Sequence, residues 1–108
     1  QDAALAALRP GVKGDIVDRA ARDVITTAGF GECFGHGLGH GVGLSVGELP
    51  RLSRRFSDTV RAGSLATIEP GIYLPGWGGV RIEDIALATG DGAQRLTQMT
   101  KDPLVGLP

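Results

Sequence analysis

The sequence predicts an α+β chain, because its periodicity changes part-way along. Up to Gly29 apolar residues recur at helical spacing; from Phe30 onward that period vanishes and glycines, aromatic and β-branched residues take over. The second observation is glycine itself, 18 of 108 residues, with one at every other position from Gly35 to Gly43. Glycine in regular structure costs roughly 0.5–1 kcal/mol against alanine, so this alternation needs a reason. In an extended segment the reason is close approach of another backbone or a ligand.

Taken in order, Ala3 to Leu8 is a helix-forming run without a capping signal, stopped by Pro10-Gly11. A second helix begins at Gly14 or Asp15 and ends at Gly29, with Ile16, Val17, Ala20, Ala21, Val24, Ile25 and Ala28 on its apolar side. Its other side carries Asp15, Asp18, Arg19, Arg22 and Asp23 and reads as a solvated charge stripe. Strands are expected near Glu32 to Gly37, Ser64 to Ile68, Val80 to Ala88 and Gln94 to Met99. Leu49 to Ala62 reads as an exposed connection whose arginines, Arg51, Arg54, Arg55 and Arg61, are solvated or meet a substrate carboxylate. Pro75 to Gly79 is a tight or bulged link between two strands that meet as a hairpin, and Asp91-Gly92 marks the next turn.

The composition excludes several functions. One domain's length with 11 basic against 12 acidic residues gives no sign of a nucleic-acid or anionic-membrane partner. No apolar run approaches the ~18 residues of a membrane span, and no leader peptide is recognisable. The single Cys33 forms no internal disulfide, which fits an inert packed thiol and a reducing, cytoplasmic setting. The absence of an initiating Met and the uncapped first helix read as a chain cut at its N-terminus, whereas Lys101 to Pro108 reads as a natural end.

Chemistry is expected around Gly35 to Leu44, which holds both histidines. An extended segment presents His36, Leu38, His40, Val42 and Leu44 on one face, and puts the imidazoles about 13 Å apart at ~3.3 Å per residue. That is too far to share one metal, so one is a candidate ligand and the other a neighbouring polar group. The run lacks both Gly-x-Gly-x-x-Gly and Gly-Lys-Ser/Thr, so phosphate cradles are unsupported. Downstream lie Glu69-Pro70-Gly71-Ile72-Tyr73 and Gly79-Val80-Arg81-Ile82-Glu83-Asp84. In a strand from Val80, Arg81 and Glu83 project together, an arrangement that fits a structural salt bridge or a supported functional carboxylate. Glu69, before Pro70-Gly71, is aimed by a strand break.

His36-Gly37-Leu38-Gly39-His40-Gly41-Val42-Gly43-Leu44, Glu69-Pro70-Gly71-Ile72-Tyr73 and Val80-Arg81-Ile82-Glu83-Asp84, in that order, resemble the C-terminal motifs of the creatinase/aminopeptidase P/prolidase family. The resemblance runs from Pro10-Gly11-Val12 to Leu96-Thr97. It implies the C-terminal half of a pita-bread fold, with both helices on one face of a curved, mainly antiparallel sheet. It also implies a dinuclear-metal peptidase that cleaves Xaa-Pro bonds in proline-containing peptides. On that basis His40, Glu69 and Glu83 resemble metal ligands, Glu69 also handling protons and Glu83 bridging the ions. His36 resembles a proton or substrate contact, and Arg81 and Tyr73 resemble groups that support the carboxylates. The ion pair implied is Mn first, with Co or Zn as alternatives; such ions lower the pKa of water and polarise the scissile carbonyl.

The resemblance also exposes two departures. Two aspartates of the family site would lie in a preceding half, and Gly47 stands where the family carries another histidine. Loss of such a group can cost ~10²–10³ in rate. The competing reading is a pseudo-peptidase that keeps the fold for binding; a creatinase-like amidine hydrolase is disfavoured by retention of His40, Glu69 and Glu83. With few large apolar residues and a sheet edge left open, the isolated chain is expected to need its missing half or a second copy, as a homo-oligomer.

Overall fold

The computed structural model describes residues 1–102. Helices α1 (Asp2–Ala7) and α2 (Gly14–Thr27) pack together, and the chain then passes through a 3-10 turn at Gly31–Cys33 into the strands. In chain order these are β1 (Gly39–Gly41), β2 (Glu48–Leu52), β3 (Leu65–Ile68), β4 (Gly71–Leu74), β5 (Gly78–Arg81), β6 (Asp84–Thr89) and β7 (Gly92–Arg95). Five form an antiparallel sheet in the order β2-β1-β3-β6-β7, while β4 and β5 form a separate hairpin. The fold is therefore α+β, with helices against a largely antiparallel sheet. No helix among the described residues is long and apolar enough to cross a membrane.

Alternation sorts the sheet's two faces. Ala66 and Ile68 of β3 and Ala86 and Ala88 of β6 are buried with Ala4, Leu8, Val17, Ala21, Phe34 and Leu38 in one apolar core. Thr67, between two of these, faces the other way and meets β1 through the backbone N–H of His40. Ala66, Ala86 and Ala88 on the strands share this core with the larger Leu8, Val17, Phe34 and Leu38.

Several expected boundaries shift. Glu32 to Gly37 is no strand: it holds the 3-10 turn and bends, and pairing starts only at Gly39. The reason is the backbone of Phe34 to Leu38, which finds its partners in side chains of α2 instead of in a neighbouring strand. Leu49 to Ala62, expected as an exposed connection, contains most of β2 and buries Leu52 and Val60 completely or nearly so. The continuous strand from Val80 to Ala88 is broken at Ile82 and Glu83, where the chain leaves the hairpin and enters the main sheet. The final strand is Gly92–Arg95 and not Gln94 to Met99. Pro103 to Pro108, part of the tail expected as a natural end, lie outside the described residues.

The largest correction concerns α2. Asp18, assigned to the solvated stripe, is fully buried, while Ile16 and Val24, assigned to the core, are exposed. The buried stripe runs through Gly14, Val17, Asp18 and Ala21. Asp18 is drawn inward because its carboxylate accepts the backbone N–H of Leu38 at 3.0 Å and two N–H groups of Arg22, at 2.8 and 3.0 Å. Arg22 in turn donates to the carbonyls of Phe34, at 2.7 Å, and His36, at 2.8 Å, with its guanidinium stacked on the Phe34 ring. Asp15 and Arg19 do remain a surface pair, at 4.0 Å.

Two other carboxylates tie loops to the sheet. Asp58 accepts Arg51 Nε at 2.8 Å and the Arg51 backbone N–H at 3.1 Å. Asp84, buried at the start of β6, accepts Thr97 Oγ1–H at 2.6 Å and Lys101 Nζ–H at 2.9 Å. Burial pushes the Asp84 carboxyl up, but Thr97, Lys101 and Arg95 together outweigh it and hold it below its ordinary pKa.

Arg22→Met is expected to lower stability by about 3–5 kcal/mol, since it strands a buried carboxylate and two carbonyls; denaturant unfolding of the variant checks this. A second expectation follows from Asp58, whose pKa is lowered chiefly by the Arg51 side-chain hydrogen bond. A carboxylate with a depressed folded pKa contributes stability above its unfolded value, about 3.9, and loses it as pH falls through the lower folded value. Stability should therefore decline below about pH 4. In a pH series of unfolding measurements, Asp58→Asn should flatten that decline.

Candidate functional site

His40 occupies the middle of β1, a strand flanked by β2 and β3. Glycine is required on both sides of it. A Cβ at Gly39 would overlap the Thr67 carbonyl, and one at Gly41 the Leu49 carbonyl. The expected close approach is thus to protein backbone. The expected single row of side chains is not kept: the chain bends at His36 and Leu38, so Leu38 is buried in the core whereas Leu44 is fully exposed.

The His40 ring is oriented by its own strand. Nδ1 lies 2.8 Å from the Gly41 carbonyl, and since a carbonyl only accepts, Nδ1 carries the proton. In the neutral ring Nε2 then presents a lone pair, and it points at Glu69 Oε1, 3.6 Å away. Glu69 is held by its backbone N–H, which donates to the Leu38 carbonyl at 2.8 Å, and by Thr67 Oγ1–H, which donates to Oε1 at 2.7 Å. Thr67 thereby links both residues, accepting the His40 backbone N–H at 3.0 Å. Its role was readable only through strand alternation, which sets residue 67 on the same side as 69.

A chain of hydrogen bonds leads away from the pair. Arg81 Nη1–H donates to Tyr73 Oη at 3.2 Å, Tyr73 O–H to His36 Nε2 at 2.9 Å, and His36 Nδ1–H to the Gly37 carbonyl at 2.7 Å. Arg81 Nε also lies 3.9 Å from Glu69 Oε2. The Tyr73 hydroxyl is the largest cause of a raised Arg81 pKa, and the charges of Glu69 and Glu83 add to it. The hairpin of β4 and β5 thus carries Tyr73 and Arg81 over His36 and Glu69.

His36, His40, Glu69, Tyr73 and Arg81 accordingly come together. Glu83 does not join them as expected. It is exposed in the break between β5 and β6, its carboxylate makes no hydrogen bond among the described residues, and it reaches Arg81 through charge alone. The same-face pairing of Arg81 and Glu83 fails because the strand does not continue through Ile82. Among the described residues no three His, Cys, Asp or Glu side chains lie close enough to hold a metal ion. The His40 and Glu69 pair still has the right donor chemistry: an imidazole nitrogen and a carboxylate oxygen face each other at 3.6 Å, a set that suits a divalent cation. Cys33 is half-buried and stands apart from this group.

Residues 1–90 match the family model of metallopeptidase family M24. The chain belongs to that family. The Xaa-Pro dipeptidase of Lactobacillus helveticus is 46% identical over 102 residues, which cover 94% of this chain and 28% of that protein. The Xaa-Pro dipeptidase of Pyrococcus horikoshii is 47% identical, with 94% of this chain and 29% of the relative covered. Among solved structures, the prolidase from Pyrococcus furiosus superposes with a TM-score of 0.90 at 46% identity, over 94% of this chain and 30% of that one. The M24 chain therefore has part of the prolidase pita-bread fold and spans less than a third of the length of these relatives. The family implies divalent metal ions.

Gly39→Ala is expected to destabilise the M24 chain by about 1–3 kcal/mol or more, because strand β1 cannot move away from β3 without breaking the pairing. Thermal unfolding, with the His40 and Thr67 backbone signals followed by NMR, checks both the loss and its location.

Proposed function

We propose that this chain is the C-terminal part of the catalytic domain of a dinuclear-metal Xaa-Pro peptidase, and that a preceding half supplies the remaining ligands. The observation that carries the reading is the meeting of His40 Nε2 and Glu69 Oε1 at 3.6 Å, two acceptors held by the Gly41 carbonyl and the Thr67 hydroxyl. His40, Glu69 and Glu83 would hold the ions, which when bound supply Lewis acidity toward water and the scissile carbonyl. Bringing Glu83 in is the part left to the missing half and the ions themselves. Glu69, flanked by Arg81, is placed to take and release a proton. The hydrogen-bonded run from Arg81 through Tyr73 to His36 fixes the His36 ring beside the site, where it meets substrate. The substrates proposed are proline-containing peptides, in the manner of the relatives' names. Mn is the first choice of metal, with Co or Zn as alternatives, and the setting proposed is cytoplasmic with a homo-oligomer or the missing half covering the exposed hairpin edge.

A second reading, a binding protein that keeps the fold without hydrolysis, is supported by Gly47. Glycine offers no side chain there, and its φ of 76° lies in the left-handed region, although the space around a Cβ position is open. A histidine at that position would occupy a left-handed conformation that costs L-residues roughly 1–2 kcal/mol.

The test is metal content and Xaa-Pro cleavage by the full-length parent. His40→Ala and Glu69→Gln, with Glu83→Gln, are expected to remove metal and activity together, whereas His36→Ala should keep the metal and lower only the rate, by about 10²-fold or more. A parent that binds metal without cleaving any Xaa-Pro peptide would establish the second reading. Equal metal loss in His36→Ala would show that the two histidines have been assigned the wrong way round.

A further inference from the structure

We propose that Asp84, Thr97 and Lys101 form a clamp that positions Glu83 for metal binding; this rests on the peptidase reading above, in which Glu83 is a ligand. The three are positioning residues, acting through the backbone on either side of Glu83.

Sheet register supplies the reason for a clamp at this place. β3 and β6 pair antiparallel with Leu65 opposite Leu87, Ala66 opposite Ala86, Thr67 opposite Ile85 and Ile68 opposite Asp84. The ladder stops there, one residue short of Glu69 on one strand and of Glu83 on the other. The next step of the same register sets position 83 against position 69, and opposed positions on an antiparallel pair are nearest side-chain neighbours. Whatever holds the last rung at Asp84 therefore decides how near the Glu83 carboxylate can come to Glu69.

That rung is held from the C-terminal side. Buried Asp84 accepts Thr97 Oγ1–H at 2.6 Å and Lys101 Nζ–H at 2.9 Å on Oδ1, and its Oδ2 faces Arg95 Nη1 at 3.7 Å. Thr97 Oγ1 also accepts the Ile85 backbone N–H at 3.1 Å, and the Leu96 N–H donates to the Ile85 carbonyl at 2.8 Å. Lys101 Nζ lies 3.5 Å from the Glu83 carbonyl as well, so one ammonium holds both the backbone of Glu83 and the carboxylate of its neighbour. On the other side of Glu83, the Ile82 N–H donates to the Pro70 carbonyl at 3.3 Å, next to Glu69. The Glu83 backbone is thus pinned at both ends while its side chain stays exposed. A buried ionic cluster often adds little net stability over an apolar one, so fixing a position is the use that suits it.

The experiment titrates the metal-free full-length parent with Mn²⁺ by calorimetry, as wild type and as Thr97→Val, Thr97→Ser, Lys101→Met, Glu83→Gln and Asp58→Asn. Denaturant unfolding and backbone amide exchange are measured on each metal-free protein. Thr97→Val and Lys101→Met are expected to weaken Mn²⁺ binding about 10–100-fold, the scale for a residue that orients a ligand, and to speed amide exchange at Ile85. Thr97→Ser keeps the hydroxyl and should bind Mn²⁺ as the wild type does. Asp58→Asn breaks a carboxylate tie away from Glu83, so it should lower the unfolding midpoint and leave Mn²⁺ affinity unchanged. Wild-type affinity in both Thr97→Val and Lys101→Met, with a lowered unfolding midpoint, would reduce the cluster to a structural tie and overturn the clamp. An equal loss of affinity in Asp58→Asn would overturn it too, since general destabilisation would then account for the effect. Glu83→Gln keeps the two readings apart. If it weakens Mn²⁺ binding and the clamp variants do not, Glu83 is a ligand and the clamp fails; if it binds Mn²⁺ as the wild type does, the ligand assignment fails and the clamp has no ligand to place. Weaker binding in all three, in a parent that cleaves no Xaa-Pro peptide, would uphold the clamp while the hydrolytic reading fails.

Discussion

The ion pair of buried Asp18 with partly buried Arg22 is the interaction on which the site's geometry depends. A Gly-rich segment has little side-chain area with which to anchor itself, and Phe34 to Leu38 lies outside any strand. Its backbone groups must nonetheless be satisfied where they are buried. Asp18 accepts from Leu38, and Arg22 donates to Phe34 and His36, so one helical turn of α2 stands in for a neighbouring strand. A buried ion pair often adds little net stability compared with an apolar one, because desolvation offsets the attraction. Its value here lies in register: the next residues, Gly39 to Gly41, enter the sheet at a position already set by the helix.

The register matters because β1 tolerates no side chain on either side of His40. With Thr67's carbonyl against Gly39 and Leu49's against Gly41, a slip of one residue would drive a histidine or leucine into backbone. The glycines and the helix clamp therefore address the same problem from two directions. What they deliver is an imidazole whose tautomer is set by Gly41 and whose other nitrogen faces Glu69, itself held by Leu38 and Thr67.

This also explains what was legible in the sequence. The change from helix to sheet and the hairpin about Pro75 to Gly79 could be read, because each rests on local punctuation; the resemblance grouped His40, Glu69 and Glu83, of which the structure brings only the first two together. Asp18 could not, since a charged residue on a helix is normally solvated and only the unpaired backbone it serves calls it inward. Strand β2 was hidden by Pro50 and by flanking arginines, which mark a loop in most contexts but here belong to an edge strand. The break at Ile82 and Glu83 was invisible to alternation, which continues through the sequence while the pairing changes from β4 to β3 and β7.

The same break accounts for Glu83 standing apart from the other site residues. Glu69 is fixed by Thr67 and by its own backbone; the Glu83 carboxylate is exposed and makes no such hydrogen bond among the described residues. Two carboxylates brought together in a half-buried site raise each other's cost of ionisation unless positive charge lies between them. Arg81 supplies some of that charge to Glu69 at 3.9 Å, but its closer bond is to Tyr73. The chain thus holds His40 and Glu69 together and leaves the Glu83 carboxylate without a hydrogen bond among the described residues. A centre that joined Glu83 to this pair would need positive charge between the two carboxylates, so its assembly would be coupled to cation binding.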